Sequence, residues 1–362
     1  MRTIINPSDT LTNKISYYHL LLFVALLPFD LFYSQMVLIS FILHTIISLK
    51  KENLAVIRQK EVLLLTSVFL VAVVCTVYTD NSTEAFKLLS RQLAILIFPL
   101  VLFLNPIDLK KYSNSILRVF VFSCTLTVLY LFTDAIRILH FHQLPLSSLL
   151  SPAFTNHNFS SPIAIHATYF SLYLALCLFT SVQFFRHAKN RLTKTGYLFI
   201  ILILLTGLVQ LGSRAVILAL LLYFCVLLPF WLWKNRKPSF IYFSLLLAAA
   251  IICALATVQP IQRRFLDQFA EDLTTKTPAY SVAAPRMKRW ELAFELVKRS
   301  PFAGYGTGAE EGLLQEKYFA NRLYDAYHNR LNAHNQYISF LLMGGIVALA
   351  VYLFTLVYGY RL

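Results

Sequence analysis

From Tyr337 to Tyr358 the chain reads "YISFLLMGGIVALAVYLFTLVY", without one charged residue. About 20 apolar residues in a helix cross about 30 Å of hydrocarbon. Inside a bilayer the backbone must satisfy its own polar groups, so a run like this admits a helix and little else. It is one of many. Apolar runs near 16–33, 35–49, 62–79, 87–104, 113–135, 163–185, 196–212, 214–233 and 239–258 join 337–358 to give about ten candidate spans. The run at 35–49 is short, and that at 87–104 opens on the polar "KLLSRQ". The whole chain is 58% hydrophobic and 14% charged, where a soluble domain carries about 25% charged residues. The expected fold class is all-α, a polytopic transmembrane helical bundle.

The net charge of +15 takes its meaning from where the charge lies. Lys50, Lys51, Arg58 and Lys60 share one connection. Lys110 and Lys111 lie two crossings on, then Arg186, Lys189, Arg191 and Lys194, then Lys234, Arg236 and Lys237. The intervening short connections hold only Lys87, Arg91, Arg137 and Arg214. Basic residues mark the cytoplasmic side, so both termini are expected there. The charge is a topogenic signal, and no nucleic-acid partner is implied. Cys75, Cys124, Cys177, Cys225 and Cys253 all fall in apolar runs and read as small buried hydrophobes. The polar N-terminus lacks a small-residue cleavage site, so the first apolar run reads as a retained span.

Three parts follow: a bundle over 1–258, a large external loop over 259–336, and a final span in 337–362. A connection as long as 259–336 is normally functional, and this one reads as partly helical. "PRMKRWELAFELVKRSP" places Pro285 at a first helical position, sets Met287, Trp290, Ala293, Phe294 and Val297 at helical spacing, and stops before Pro301. "GAEEGLLQEKYFANRLYDAY" gives a second amphipathic segment. Between them, Gly304, Gly306 and Gly308 follow a helix and not a strand, so a phosphate-binding loop is a poor reading. A tight turn with positive φ fits better, and it leaves room for backbone to approach a ligand.

Some polar residues are costly where they stand. Arg214 sits between two spans with almost no connection to hold it, beside Ser213 and Gln210. Such an arginine serves an ion pair or an anionic ligand, or snorkels to the interface; the polar corner favours the ligand. Arg286, Lys288 and Arg289 open the loop's first helix, with Trp290 on the face of Arg286. A basic helix resting on lipid headgroups accounts for them equally well. His166, at the outer end of a span, reads first as a structural hydrogen-bonding residue. His140, His142 and His157 have no Cys or carboxylate nearby to complete a metal site. His334 stands next to Asn335 and close to His328, just before the final span. A histidine there can take a proton from a hydroxyl near neutral pH. Arginines hold diphosphates through charge-assisted bonds, and an external face without ATP needs a lipid-linked activated donor.

These residues resemble the O-antigen ligase and O-antigen polymerase superfamily of bacterial inner-membrane glycosyltransferases. The resemblance is carried by "GSRA" (Gly212–Ala215), "RMKRW" (Arg286–Trp290), "SPFAGYGTG" (Ser300–Gly308) and "AHNQYISFLLMGGIVAL" (Ala333–Leu349), in that order around one large loop. It covers about residues 160–358; the earlier spans match only as hydropathy. It implies transfer of a glycan from undecaprenyl diphosphate to an acceptor on the periplasmic face of the inner membrane, with no metal and no other cofactor. For a ligase the acceptor is a sugar hydroxyl of lipid A–core. On matching positions, Arg214 and Arg286 would bind the donor diphosphate, and His334 would be the general base or would orient the acceptor hydroxyl. Asn335 would position it, with Trp290 and Ser213 in support and His328 a helper of unassigned role. Direct attack by one acceptor would invert the anomeric configuration. Where relatives carry an Asn-containing motif, this chain has His166 with Thr168 and Tyr169, an acceptor or donor contact or a subfamily difference. Relatives also continue past the point where this chain stops at "VYGYRL", which suggests a truncated product.

Four alternatives share some of these features. A polymerase or a protein O-oligosaccharyltransferase differs only in acceptor. A lipid-linked-sugar transporter would string polar residues through its spans, whereas here they gather on one face. A scaffold would use the large loop as a binding module and survive loss of His334.

Overall fold

A computed structural model describes residues 9–223 and 286–359. The expected span at 239–258, most of that at 214–233, Pro285, Cys225 and Cys253 lie outside the described residues. In chain order the α-helices are α1 (Leu11–Leu26), α2 (Leu31–Ile47), α3 (Lys60–Cys75), α4 (Ser82–Leu104), α5 (Leu109–Phe141), α6 (His157–Ser160), α7 (Ala167–His187), α8 (Arg191–Leu211), α9 (Arg214–Leu222), α10 (Arg286–Arg299), α11 (Ala309–Ala320), α12 (Tyr324–His328) and α13 (Gln336–Gly359). No strand occurs among the described residues, and the all-helical class holds.

Among the described residues α4, α5, α7, α8 and α13 are long and apolar enough to cross a membrane. The α2 helix and the 3₁₀ segment Lys51–Arg58 add a sixth candidate if taken as one broken span. This is a multi-pass membrane protein, and the described residues carry fewer full-length spans than the ten expected. Helices α1, α2 and α3, of 16, 17 and 16 residues, fall short of the usual crossing length. The first two expected spans, 16–33 and 35–49, are displaced to Leu11–Leu26 and Leu31–Ile47. Hydropathy runs unbroken through Pro28, but Asp30 ends the run physically: its carboxylate accepts the Tyr33 N–H at 3.1 Å and starts a new helix. Asp108 likewise starts α5, accepting the Lys110 and Lys111 N–H groups, so those lysines lie in a first helical turn.

The chain divides into two compact units, Met1–Ser48 with Ile107–Phe265, and Leu49–Pro106 with Leu266–Leu362. In the first, α5, α7 and α8 share a core of Val128, Phe170, Leu174, Leu204 and Leu208. Gly207 lets α8 close on it, since a Cβ there would stand 2.8 Å from a Val128 methyl.

In the second unit α10, α11 and α12 build a core of their own with the first turns of α13, including Leu292, Leu314, Tyr318, Ala326 and Ile338. Residues 286–335 are therefore a small helical subdomain. The expected amphipathic helix over 286–299 is present, whereas the second amphipathic segment splits into α11 and α12. Arg322 adopts a left-handed φ of 58°, and the Leu323 N–H returns to the Tyr318 carbonyl. Arg330, at φ 48°, repeats this with Leu331 bonding Ala326. Both are Schellman closures in which a leucine folds back onto the core. Both are spelled Asn-Arg-Leu, at 321–323 and 329–331.

The final span is broken. Gly344 and Gly345 leave helical geometry inside α13, freeing carbonyls that a bilayer cannot satisfy. The glycine turn after α10 meets them. The Tyr305 and Gly306 N–H groups bond the Leu342 and Met343 carbonyls at 2.7 and 2.9 Å, and the Ile346 N–H bonds Pro301 at 2.9 Å. The same turn closes the end of α3, the Thr307 N–H reaching Cys75 and its hydroxyl reaching Ala72. Gly304, Gly306 and Gly308 have φ of 63°, 92° and 81°, the tight turn expected of them. What their backbone approaches is the broken ends of two helices.

Candidate functional site

His334 lies on a strap, Asn332–Asn335, between α12 and α13. The strap is tied to its surroundings at three points and closed by one bond within itself. Arg289 Nη1 donates to the Asn332 carbonyl at 2.9 Å, and Trp290 Nε1 donates to the Ala333 carbonyl at 2.7 Å. The Ala333 N–H donates to Glu310 Oε1 at 3.0 Å, and the His334 N–H to Asn332 Oδ1 at 3.0 Å. Ala333 is fully buried, while His334 is exposed at a left-handed φ of 49°. A non-glycine residue in that region is held there by its surroundings, and such strain gathers at functional positions. Burial pushes the Tyr318 phenol, beneath the strap, up to about 12, with Arg289 drawing it down and Glu310 raising it.

The "RMKRW" motif therefore splits by role. Arg289 and Trp290 anchor the strap, while Arg286 is exposed at the first described position of α10. Asn335 caps the final helix: its Oδ1 accepts the Tyr337 and Ile338 N–H groups at 3.0 and 3.4 Å. His328 is exposed at the end of α12, its ring against Tyr327. Sequence reasoning missed Arg289 and Glu310, whose partners lie 43 and 23 residues away in the chain.

Arg214, Ser213, His166 and Tyr169 belong to the first unit. There α8 ends at Gly212, left-handed at φ 48°, and Arg214 opens α9. Ser213 is buried and makes no side-chain cap bond. Gln210, expected to share a ligand corner with Arg214, is a brace: Nε2 donates to the Leu149 and Phe154 carbonyls at 2.7 and 2.6 Å. A helix N-terminus favours anions and disfavours cations. Arg214 is half-buried at that end of α9, where its guanidinium adds to the positive end of the helix.

His166 makes a structural contact. Its Nδ1 accepts the Thr168 N–H at 3.2 Å and so caps α7. The His157 ring stands edge-on at 4.1 Å, and Tyr169 packs at 5.5 Å. Burial, and then His157, hold the His166 pKa below the ordinary value. His140 and His142 lie in the last turn and at the C-cap of α5. Among the described residues no three His, Cys, Asp or Glu come together as a metal site.

No curated protein matches the chain. Residues 199–353 match the family model described as O-antigen ligase. That stretch contains "GSRA", "RMKRW", "SPFAGYGTG" and "AHNQY", the motifs that carried the resemblance. Over residues 199–353 the chain is similar to the O-antigen ligase family.

Proposed function

We propose that the chain transfers a glycan from undecaprenyl diphosphate to a sugar hydroxyl of lipid A–core, on the periplasmic face of the inner membrane. The observation that carries this reading is the strap anchored by Arg289, Trp290 and Glu310, which fixes an exposed histidine in a strained conformation at the mouth of an apolar helix. His334 accepts the acceptor's hydroxyl proton as that oxygen attacks the anomeric carbon. The bond from that carbon to the diphosphate oxygen breaks, and the diphosphate departs with the electron pair. One displacement inverts the configuration. Arg214 and Arg286 are the proposed ligands of the diphosphate, as donors that meet its growing charge. Diphosphate is a good leaving group, so positioning and charge stabilisation suffice, and the reaction needs no metal ion.

The test is transfer in vitro. Purified protein receives the lipid-linked glycan and lipid A–core in EDTA, with free repeat unit and a protein acceptor as parallel arms. Product on lipid A–core is expected, and His334→Ala lowers its rate about 100-fold or more, the usual scale for a general base. A wild-type rate in His334→Ala removes the base. Transfer only after a divalent metal is added overturns the metal-free chemistry.

A further inference from the structure

The second unit contains a cavity of about 200 Å³ beside the strap, lined by Glu84 and Arg91 of α4, Glu310 and Glu311 of α11, Asn332 of the strap and Gln336 of α13. Asn332 and Gln336 each lie two residues from His334 in the chain. Phe340 and Met343 supply an apolar wall. Arg91 is the unusual member. It lies within a helix apolar enough to cross a membrane, where a charged residue is costly unless it faces a polar cavity.

Resting on the transferase reading, we propose that this cavity is the acceptor subsite and takes one uncharged, hydroxyl-rich sugar ring. Ionised carboxylates only accept hydrogen bonds and a guanidinium only donates, whereas each sugar hydroxyl does both. Glu84, Glu310 and Glu311, lining the cavity together with Arg91, therefore match a ring bearing several hydroxyls, and Phe340 and Met343 match its C–H face. Drug-sized ligands fill pockets of about 300–1,000 Å³, so a cavity of about 200 Å³ holds a single ring. The charge balance selects further. Lys87 pairs with Glu84 at 2.6 Å and Arg330 with Glu311 at 3.7 Å, so the lining carries little net charge and offers a phosphate or carboxylate substituent no excess of cations, which separates this site from the arginines assigned to the donor diphosphate. Glu310 has a second duty, since it holds the strap through Ala333. Gln336 and Glu311 are thus the cleaner probes.

Two measurements on the full chain test this. In transfer kinetics, Gln336→Ala and Glu311→Gln raise the acceptor KM about tenfold, the effect of losing one good hydrogen bond, while the donor KM stays constant. In saturation-transfer NMR without donor, a neutral core oligosaccharide binds wild type and His334→Ala alike and is lost from Gln336→Ala. The same oligosaccharide phosphorylated on its terminal ring gains no affinity. A change in donor KM instead of acceptor KM overturns the proposal, as does tighter binding of the phosphorylated sugar. If no acceptor is glycosylated yet the neutral sugar still binds in a Gln336-dependent way, the transferase reading falls and the sugar site stands.

Discussion

His166 caps α7 only while its Nδ1 is unprotonated, because that nitrogen accepts the Thr168 N–H. Its folded pKa lies below the ordinary histidine value of about 6.5. Between the two values the unfolded chain holds a proton that the folded chain does not. The cap's stability is therefore complete above about pH 6.5 and is lost progressively as pH falls below it. Asparagine caps helices and does not titrate in this range. Melting wild type and His166→Asn from about pH 8 to about pH 5.5 should show wild type losing Tm relative to the variant, by an amount set by a cap worth about 1 kcal/mol. Parallel curves would refute this. At this scale the sequence was legible where a residue's chemistry is local: His166 at a helix start reads as a hydrogen-bonding group, and His334 stands out by its neighbours. It was not legible where the partner is remote. Arg289 looks like any cation on a basic helix until Asn332, 43 residues on, is seen to accept from it.

Elements show the same divide between periodicity and packing. Helix α10 could be read because its apolar residues recur at helical spacing and Pro301 bounds it. The break in α13 could not, because "LLMGGIVAL" is as apolar at the break as on either side of it. What forces the break is the chain that enters it. A Cβ on Gly345 would stand 2.2 Å from the Phe302 carbonyl oxygen, at a φ of 63° that L side chains avoid. Gly345→Ala therefore has to straighten α13 or displace the 301–306 turn, and either change orphans the Leu342 and Met343 carbonyls. We expect a loss of about 1–3 kcal/mol from backbone strain alone, read as a lower melting temperature. Gly312→Ala meets nothing within 4 Å and serves as the control. Equal melting of the two variants would show that the break does not depend on this contact. The split between α11 and α12 escaped periodicity for a related reason. Arginine takes the left-handed position that glycine usually marks, and the repeated Asn-Arg-Leu was the available signal.

Composition alone gives the class of the whole molecule, since a chain 58% hydrophobic and 14% charged can dissolve only in lipid. The count of spans is harder, because hydropathy averages over the single capping aspartates that end one helix and start the next. Sidedness rests on a different physical quantity, the distribution of Lys and Arg, and it can be tested apart from the chemistry. With the five native cysteines replaced by alanine, single cysteines are placed at Lys51, Lys189 and Arg322, all exposed. Basic connections stay in the cytoplasm, so a membrane-impermeant maleimide applied to intact spheroplasts should label Arg322→Cys at once. It should reach Lys51→Cys and Lys189→Cys only after permeabilisation. The reverse pattern would put the His334 strap in the cytoplasm and would remove the reason for a lipid-linked donor, because nucleotide sugars are at hand there. Labelling of all three in intact spheroplasts would mean that Lys51, Lys189 and Arg322 are not separated by the bilayer. Only the expected pattern leaves the strap, its histidine and the sugar cavity on the face where an activated glycan has to arrive on a lipid.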